Sequence, residues 1–462
     1  MALPSNLNYG NKPETASARS YTSIIQPEGS MNGYAPNSTV KFNIPCQANT
    51  VLVPSETYLK LTLAGIVNGA ATTDYIRLDG AGIQGAIQRI RVYHGSTEIN
   101  DIDNYNMFAK LMMSLQQPSD AFSSKQNVMS GTFGGYNASV NGVAFCPLVG
   151  EKLGVSPGAV EQYGNVVAIG AAVAARNYAT SLICYVGTLG GDKYIPCYEM
   201  TSSPLRLEIQ WVSSVYKFLT SETALVDNFR IDNLELVCSF IELSDDVIAT
   251  LRQRQFESGS PLQYVIPNYS NVTASANLPN STTTVTHQLS ARYASLKSIF
   301  CTMRSKSDGG ITFFPLNSTH FNLDNWRFRI GSQLIPSKQI SNFQESYAEL
   351  LKAIGSVADL NHEPSISFRT YAVDSIPVAC TEPETGLNAT TKSNCFAIGL
   401  DLETYATADR DRLWAGMNTL TSDVFLNATF GANASAPTVK FDFYSMYDQI
   451  LVFESGSVRV VK

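Results

Sequence analysis

Apolar residues recur at every second position through most of the chain, a period that predicts β-strands. The last third shows it most clearly. Val424, Leu426, Ala428 and Phe430 alternate with Phe425, Asn427 and Thr429, and Val439, Phe441 and Phe443 alternate with Lys440, Asp442 and Tyr444. Gln449-Ile450-Leu451-Val452-Phe453 makes a third run. Successive side chains on a strand point to opposite faces, so this period sends one row to a core and the other outward. Residues 394–462 read as the closing part of a β-sandwich.

The same grammar occurs upstream. Val40, Phe42 and Ile44 alternate with Lys41 and Asn43, Leu59, Leu61 and Leu63 with Lys60 and Thr62, and the run Arg89-Ile90-Arg91-Val92-Tyr93 follows. Further strands are predicted at Leu205, Leu207, Ile209 and Trp211, at Leu234, Leu236, Cys238 and Phe240, at 283–289, at 298–303, and at Trp326, Phe328 and Ile330. Two segments change to helical spacing. One is 106–115, with Met107, Phe108, Leu111, Met112 and Leu115 on one side and Pro118 as its stop; the other is 342–354, with Phe343, Tyr347, Leu350, Leu351 and Ile354, ended by Gly355.

Breaks in the pattern suggest the divisions. Residues 1–38 carry Pro13, Pro27 and Pro36 among polar residues with nothing periodic to bury, and read as an extended N-terminal arm. A polar helical stretch at 246–255, followed by Glu257-Ser258-Gly259-Ser260-Pro261, marks a linker. The expected organisation is an arm at 1–38, a first sandwich at 39–245, a linker helix and loop at 246–261, and a second sandwich at 262–462. Residues 117–200, rich in Gly, Ala, Ser and Asn, are expected to mix surface loop with strands the pattern does not reveal; 374–394 reads as a second loop excursion.

The two sandwiches share an order of elements. Arg89-Ile90-Arg91-Val92-Tyr93-His94-Gly95-Ser96 leads to Phe108-Ala109-Lys110-Leu111-Met112, and Arg327-Phe328-Arg329-Ile330-Gly331-Ser332 leads to Tyr347-Ala348-Glu349-Leu350-Leu351. Each half then has a loop excursion and two terminal strands. A shared order of elements implies duplication. Two copies of a sandwich of about eight strands match the jelly roll.

Composition narrows the classes of function. A chain of 462 residues exceeds one ordinary core. Only 15% of residues are charged, which suits half-buried sheets better than long solvated helices. The net charge of −7, with no Lys/Arg run, gives no reason to expect direct nucleic-acid binding. Eight cysteines, at 46, 146, 184, 197, 238, 301, 380 and 395, form no CxxC pair and read as buried small hydrophobes, which favours synthesis in a reducing interior. No signal peptide is visible in 1–34, and the apolar run 166–175 is about half the ~20 residues a membrane-spanning helix needs. The sequons at Asn37, Asn317 and Asn427 carry little weight in so Asn/Thr/Ser-rich a chain.

Candidate chemistry adds little. Gly80-Ala81-Gly82-Ile83-Gln84-Gly85 has the GxGxxG form, but the strand at 89–93 follows too soon for the helix a dinucleotide site requires, so it reads as a flexible turn. Asp101-Ile102-Asp103-Asn104-Tyr105-Asn106 starts like a calcium loop but has Tyr105 at a ligand position and Met112 where the bidentate Glu belongs, leaving a polar turn. His94, His287, His320 and His362 form no closely spaced pair, and there is no GxSxG. The pairs Asp401/Glu403 and Asp409/Asp411 have a possible acid/base reading, as in β-sandwich glycosidases, against which stands the simpler one of solvated strand or turn charges. Arg252 and Arg254 on the linker are expected to meet a neighbouring subunit or an acidic loop. No catalytic, cofactor-binding or metal-ligating residue is assigned, and no cofactor is expected.

The order of elements, the strand-Gly-Ser-spacer-helix unit in each half, and the tail segments Leu400-Asp401-Leu402-Glu403, Gly416-Met417-Asn418-Thr419 and Tyr447-Asp448-Gln449-Ile450-Leu451 resemble the double jelly-roll major capsid proteins. These belong to the lineage of adenovirus and tailless lipid-containing phages, and the chain is most similar to those of virophages and Polinton-like viruses. The resemblance implies a mainly β protein of two tandem jelly rolls that forms homotrimers, each a pseudo-hexagonal capsomer of six sandwiches tiling an icosahedral virion shell. It further implies contact with neighbouring capsomers and with penton and minor capsid proteins, places 1–38 at the capsomer base against neighbours, minor proteins or an internal membrane, and makes 117–200 and 374–394 tower or inter-subunit loops. Two other readings stay open: a carbohydrate-binding or carbohydrate-cleaving tandem sandwich, and a viral spike or minor vertex protein.

Overall fold

The computed structural model describes residues 18–68, 75–116, 127–131, 137–140, 143–145, 166–167, 176–180, 182, 194–221, 225–226, 228–258, 261–305, 315–355, 364–366, 371–372, 394–404, 414–454 and 456–462. Eight strands build the first sandwich: β1 (Ala18–Ile25), β2 (Thr39–Ile44), β3 (Thr50–Ala64), β4 (Ile87–His94), β5 (Thr97–Asp103), β6 (Arg176–Thr180), β7 (Leu205–Trp211) and β8 (Arg230–Leu243). Helix α1 (Tyr105–Gln116) follows β5, and helix α2 (Asp245–Ser258) follows β8. Eight more strands build the second: β9 (Leu262–Asn277), β10 (Thr283–Leu289), β11 (Leu296–Ser305), β12 (Leu323–Ile330), β13 (Gln333–Ile340), β14 (Ala397–Asp401), β15 (Val424–Phe430) and β16 (Thr438–Glu454). Helix α3 (Phe343–Ile354) follows β13, and a last strand, β17 (Ser457–Val461), pairs with β16.

The halves have one topology. The first forms antiparallel sheets in the orders β1-β8-β3-β6 and β2-β7-β4-β5; the second forms β9-β16-β11-β14 and β10-β15-β12-β13. Adding eight to each label converts one half into the other, with the helix after the fifth strand in both. This is the arrangement of two jelly rolls. A single cluster of buried apolar side chains runs through both, including Phe42, Ile90, Leu207 and Trp211 in the first and Trp326, Phe328, Leu426 and Phe441 in the second.

Strands with one wet face keep the alternation that predicts them. Along β15 burial switches at every residue, and β10 does the same along its exposed face. The runs 439–443 and 449–453, predicted as separate strands, are one 17-residue strand, β16. Ser445 and Asp448, which interrupt the apolar pattern, are buried, because this strand is covered on both faces. The arm predicted at 1–38 also needs correction: residues 18–25 pair in register with β8, Ala18 opposite Leu243 and Ile25 opposite Leu236, as the first strand of the first sandwich. Their polar residues are exposed because β1 is a sheet edge. Within 117–200, β6 and short pairs at 137–140 with 143–145 and at 166–167 with 75–76 are the strands among the described residues.

Helix α3 starts at Asn342, whose side-chain oxygen accepts from the Glu345 backbone N–H at 2.7 Å, and it rests on β14. The close approach needs Gly399: a Cβ there meets Leu350 Cδ1 at 2.7 Å and Leu350 Cα at 2.8 Å. Gly399→Ala is expected to destabilise the protein by about 1–3 kcal/mol in denaturant titration. Gly355→Ala, where a Cβ meets nothing within 4 Å, should stay within about 0.5 kcal/mol of the parent.

Candidate assembly interface

A dense set of buried polar contacts lies where β5 and α1 of the first sandwich meet the second. Helix α1 is buried from 105 to 115, polar Asn106, Lys110 and Ser114 included. Phe108 packs its ring 4.7 Å from that of Tyr269 and 5.2 Å from that of Tyr444. The Lys110 ammonium donates to the carbonyls of Leu316 and of Asn394, the latter at 3.0 Å. From the loop before β4, an Asp79 carboxylate oxygen accepts from the Leu316 backbone N–H at 2.6 Å. Such groups stay buried only when partnered.

Asn104 is the centre of the seam. It sits at φ +46° between β5 and α1, a left-handed conformation that Asn tolerates better than most residues. Its side-chain oxygen accepts from Gln88 Nε2 at 3.1 Å, Lys440 Nζ at 3.1 Å and Arg304 Nη2 at 3.4 Å. Its amide nitrogen donates to Asn271 Oδ1 and Thr273 Oγ1, both at 3.1 Å, and its carbonyl accepts from the Tyr444 hydroxyl at 2.9 Å. Asp442, fully buried, holds Arg304 at 2.9 Å and Lys440 at 3.4 Å. Burial pushes the Lys440 ammonium below its usual value, while Asp442 beside it pulls upward. A second group joins Asn100, Asn268 and Gln449, with the Ile99 carbonyl accepting from Asn268 at 3.1 Å and from Gln449 at 2.9 Å.

A third buried cluster lies within the second sandwich. Lys297 Nζ is 3.0 Å from Asp448 Oδ1 and 3.4 Å from Glu403 Oε1, and the three side chains are 1%, 0% and 3% exposed. The Ser295 hydroxyl donates to Asp448 Oδ2 at 2.5 Å. Burial raises the Asp448 carboxyl above the ordinary carboxylate range, against the pull of the Ser295 hydrogen bond and the Lys297 charge.

The sequence candidates fall out as follows. Glu403 is a partner of Lys297 and not a solvated turn charge, because the backbone after β14 turns it inward; Asp401 is half-buried and accepts from the Glu403 backbone N–H at 3.1 Å. Asp409, Asp411 and His362 lie outside the described residues. The GxGxxG stretch contains a buried 3₁₀ turn, Gly82–Ala86, leading directly into β4, and so is packed and not a flexible loop. Asp101 pairs with Arg89 at 2.7 Å and Asp103 accepts from Gln88 at 2.9 Å, which places the calcium-like stretch at the end of a strand and the start of α1. His94 contacts the Met200 carbonyl at 3.1 Å, His287 lies against Phe441, and His320 lies against Phe343 and Phe396. Arg252 pairs with Glu199 of its own chain at 3.1 Å, and Arg254 is exposed. Cys197, Cys238 and Cys301 are buried thiols, and Cys46 and Cys395 half-buried ones. Among the described residues no cluster of three or more His, Cys, Asp or Glu is placed to hold a metal ion, and no helix is long and apolar enough to cross a membrane. Asn100 and Asn268 carry no signal in the sequence, and Asn104 and Lys110 read there only as part of a polar turn and of a helix, because polar residues next to strands and helices look solvated.

Comparison with solved structures gives the same architecture over the whole chain. VP54 of PBCV-1, as fitted into a reconstruction of the virophage Sputnik, matches with a TM-score of 0.60 at 9% identity, covering 98% of each chain. The Sputnik virophage structure matches at 0.59 and 11% identity, over 100% of this chain and 92% of the other. The mavirus major capsid protein matches at 0.56 and 11% identity, over 100% and 95%. No protein-family model and no curated protein sequence matches. The chain therefore has the double jelly-roll fold of these viral major capsid proteins.

Breaking the Lys297 cluster removes the cation from beside two buried carboxylates. Lys297→Met is expected to lose about 3–5 kcal/mol at neutral pH. A carboxyl whose folded-state pKa is raised opposes folding above that value and ceases to as the pH falls toward its unfolded value. The deficit should therefore shrink in denaturant titrations at about pH 5.

Proposed function

We propose that the chain is a viral major capsid protein, a structural building block that assembles by threes into pseudo-hexameric capsomers of an icosahedral shell. The observation that carries the reading is the twofold use of one eight-strand topology in a single chain, with the copies joined by a buried seam. Three such chains supply the six sandwiches of a pseudo-hexagon. The match to major capsid proteins over nearly the full length supports the same reading.

Its partners under this reading are two further copies, neighbouring capsomers, and penton and minor capsid proteins. Its place is the virion capsid, after synthesis inside the host cell. The domain division proposed here moves the start of the first sandwich to β1 and keeps α2 as the linker. The acid/base reading of Asp401 and Glu403 loses its footing, since Glu403 is engaged by buried Lys297.

The purified full-length chain at micromolar concentration is expected to scatter light as a trimer or larger assembly; a stable monomer overturns the proposal. Gel densitometry of purified particles separates it from the spike or minor vertex reading. A major capsid protein dominates the gel, whereas a vertex protein is a minor band.

A further inference from the structure

Lys297 is the extra residue of a bulge in β11. Leu296 pairs with Tyr447 and Ser298 with Met446, so no residue of β16 stands opposite Lys297. A bulge re-aims the side chain it carries. On the other side of β11, Ser298 pairs with Asp401 of β14, and the Leu402 backbone N–H donates to the Lys297 carbonyl at 2.8 Å, which brings Glu403 alongside. Asp448 follows Tyr447 on β16, its backbone N–H donating to the Ser295 carbonyl at 3.0 Å. β11, β16 and the end of β14 thus set one ammonium against two carboxylates, Nζ 3.0 Å from Asp448 Oδ1 and 3.4 Å from Glu403 Oε1.

Burial sets this cluster apart. Lys60, Lys352 and Lys440 also reach carboxylates, but their side chains are 54%, 49% and 23% exposed, whereas that of Lys297 is 1% exposed. Charges removed from water are costly, and the environment favours any change that discharges them. Burial raises the Asp448 carboxyl, which favours its neutral acid, and the Ser295 hydroxyl fixes Oδ2 at 2.5 Å. An amine and a carboxyl held in contact with water shut out are the reactants of amide formation, and the fold has already met the entropic cost of bringing them together.

We propose that Lys297 and Asp448 condense into an intramolecular amide cross-link, with Glu403 as the catalytic residue. The ion pair is the state into which the chain folds, and the amide the state to which it matures. Glu403 Oε1, 3.4 Å away, takes a proton from the Lys297 ammonium, and the freed Nζ attacks Asp448 Cγ. The N–C bond forms, the C–O bond to Oδ1 breaks and Oδ1 leaves as water, while Oδ2, held by Ser295, stays as the amide oxygen. The ammonium, the Asp448 acid and the Glu403 carboxylate become an amide, one water and a neutral Glu403 acid, so atoms and charge balance without a co-reactant. The cluster then holds no charge, and residues 297–448 form a covalent loop that keeps β11 tied to β16 even in the unfolded chain.

Mass spectrometry of the purified full-length chain under denaturing conditions tests this. The chain is expected to be one water lighter than its sequence mass, and a tryptic digest to contain a branched peptide joining the segments around Lys297 and Asp448, with no cleavage after Lys297. Lys297→Arg and Asp448→Ala are expected at their full sequence masses. Glu403→Gln is expected to link about a hundredfold more slowly, read as the linked fraction against time. A parent chain at full mass that trypsin cuts after Lys297, or a lost water that maps to other residues, overturns the proposal. That measurement needs no variant, so it decides even where a substitution prevents folding. Glu403→Gln that links at the parent's rate overturns the role given to Glu403. The capsomer reading is independent of every one of these outcomes.

Discussion

Everything else in the molecule depends on the seam between its two sandwiches holding together in the absence of water. Asn104, Asn268 and Lys110 are polar groups removed from solvent, each compensated by partners on the opposite sandwich. An unpaired group there would cost about 1–3 kcal/mol, so the seam tolerates little sliding or rotation. The aromatic contacts of Phe108 with Tyr269 and Tyr444 fill the space between these groups. Two jelly rolls held in this way behave as one rigid block, a property the proposed function calls for.

Legibility followed solvent exposure. The strands β2, β7, β10 and β15 were readable because one face is buried and the other is wet or half-wet. β16 looked like two strands because its polar middle, with Asp442, Ser445 and Asp448, is buried in the seam and in the Lys297 cluster. β5, β9 and β13 went unread for related reasons: the first two place Asn residues in the seam, and the third is an exposed edge with no apolar face to show. β1 was taken for an arm on the same grounds.

The helices carried more information than their stripes alone. α1, YNMFAKLMMSLQ, has one narrow polar line, Asn106, Lys110 and Ser114, and no carboxylate, whereas α3, FQESYAELLKAI, carries Gln344, Glu345, Glu349 and Lys352. That difference between duplicated elements matches the burial of α1 from 105 to 115 and the partial exposure of α3. The order of elements was enough to expose the duplication, but the residues that weld the copies were hidden, since nothing local separates a buried Asn from a solvated one.

The central claim is that the two sandwiches of one chain are welded into a single block where α1 and β5 meet β9 and its neighbours. A density map of the assembled full-length protein from electron microscopy, at a resolution that separates helices from sheets, tests it most directly. The account predicts that the two sandwiches of each chain meet through α1 and β9, and, under the proposed function, that three such pairs surround a threefold axis. Sandwiches of one chain that lie apart, or that meet through other faces, would contradict it.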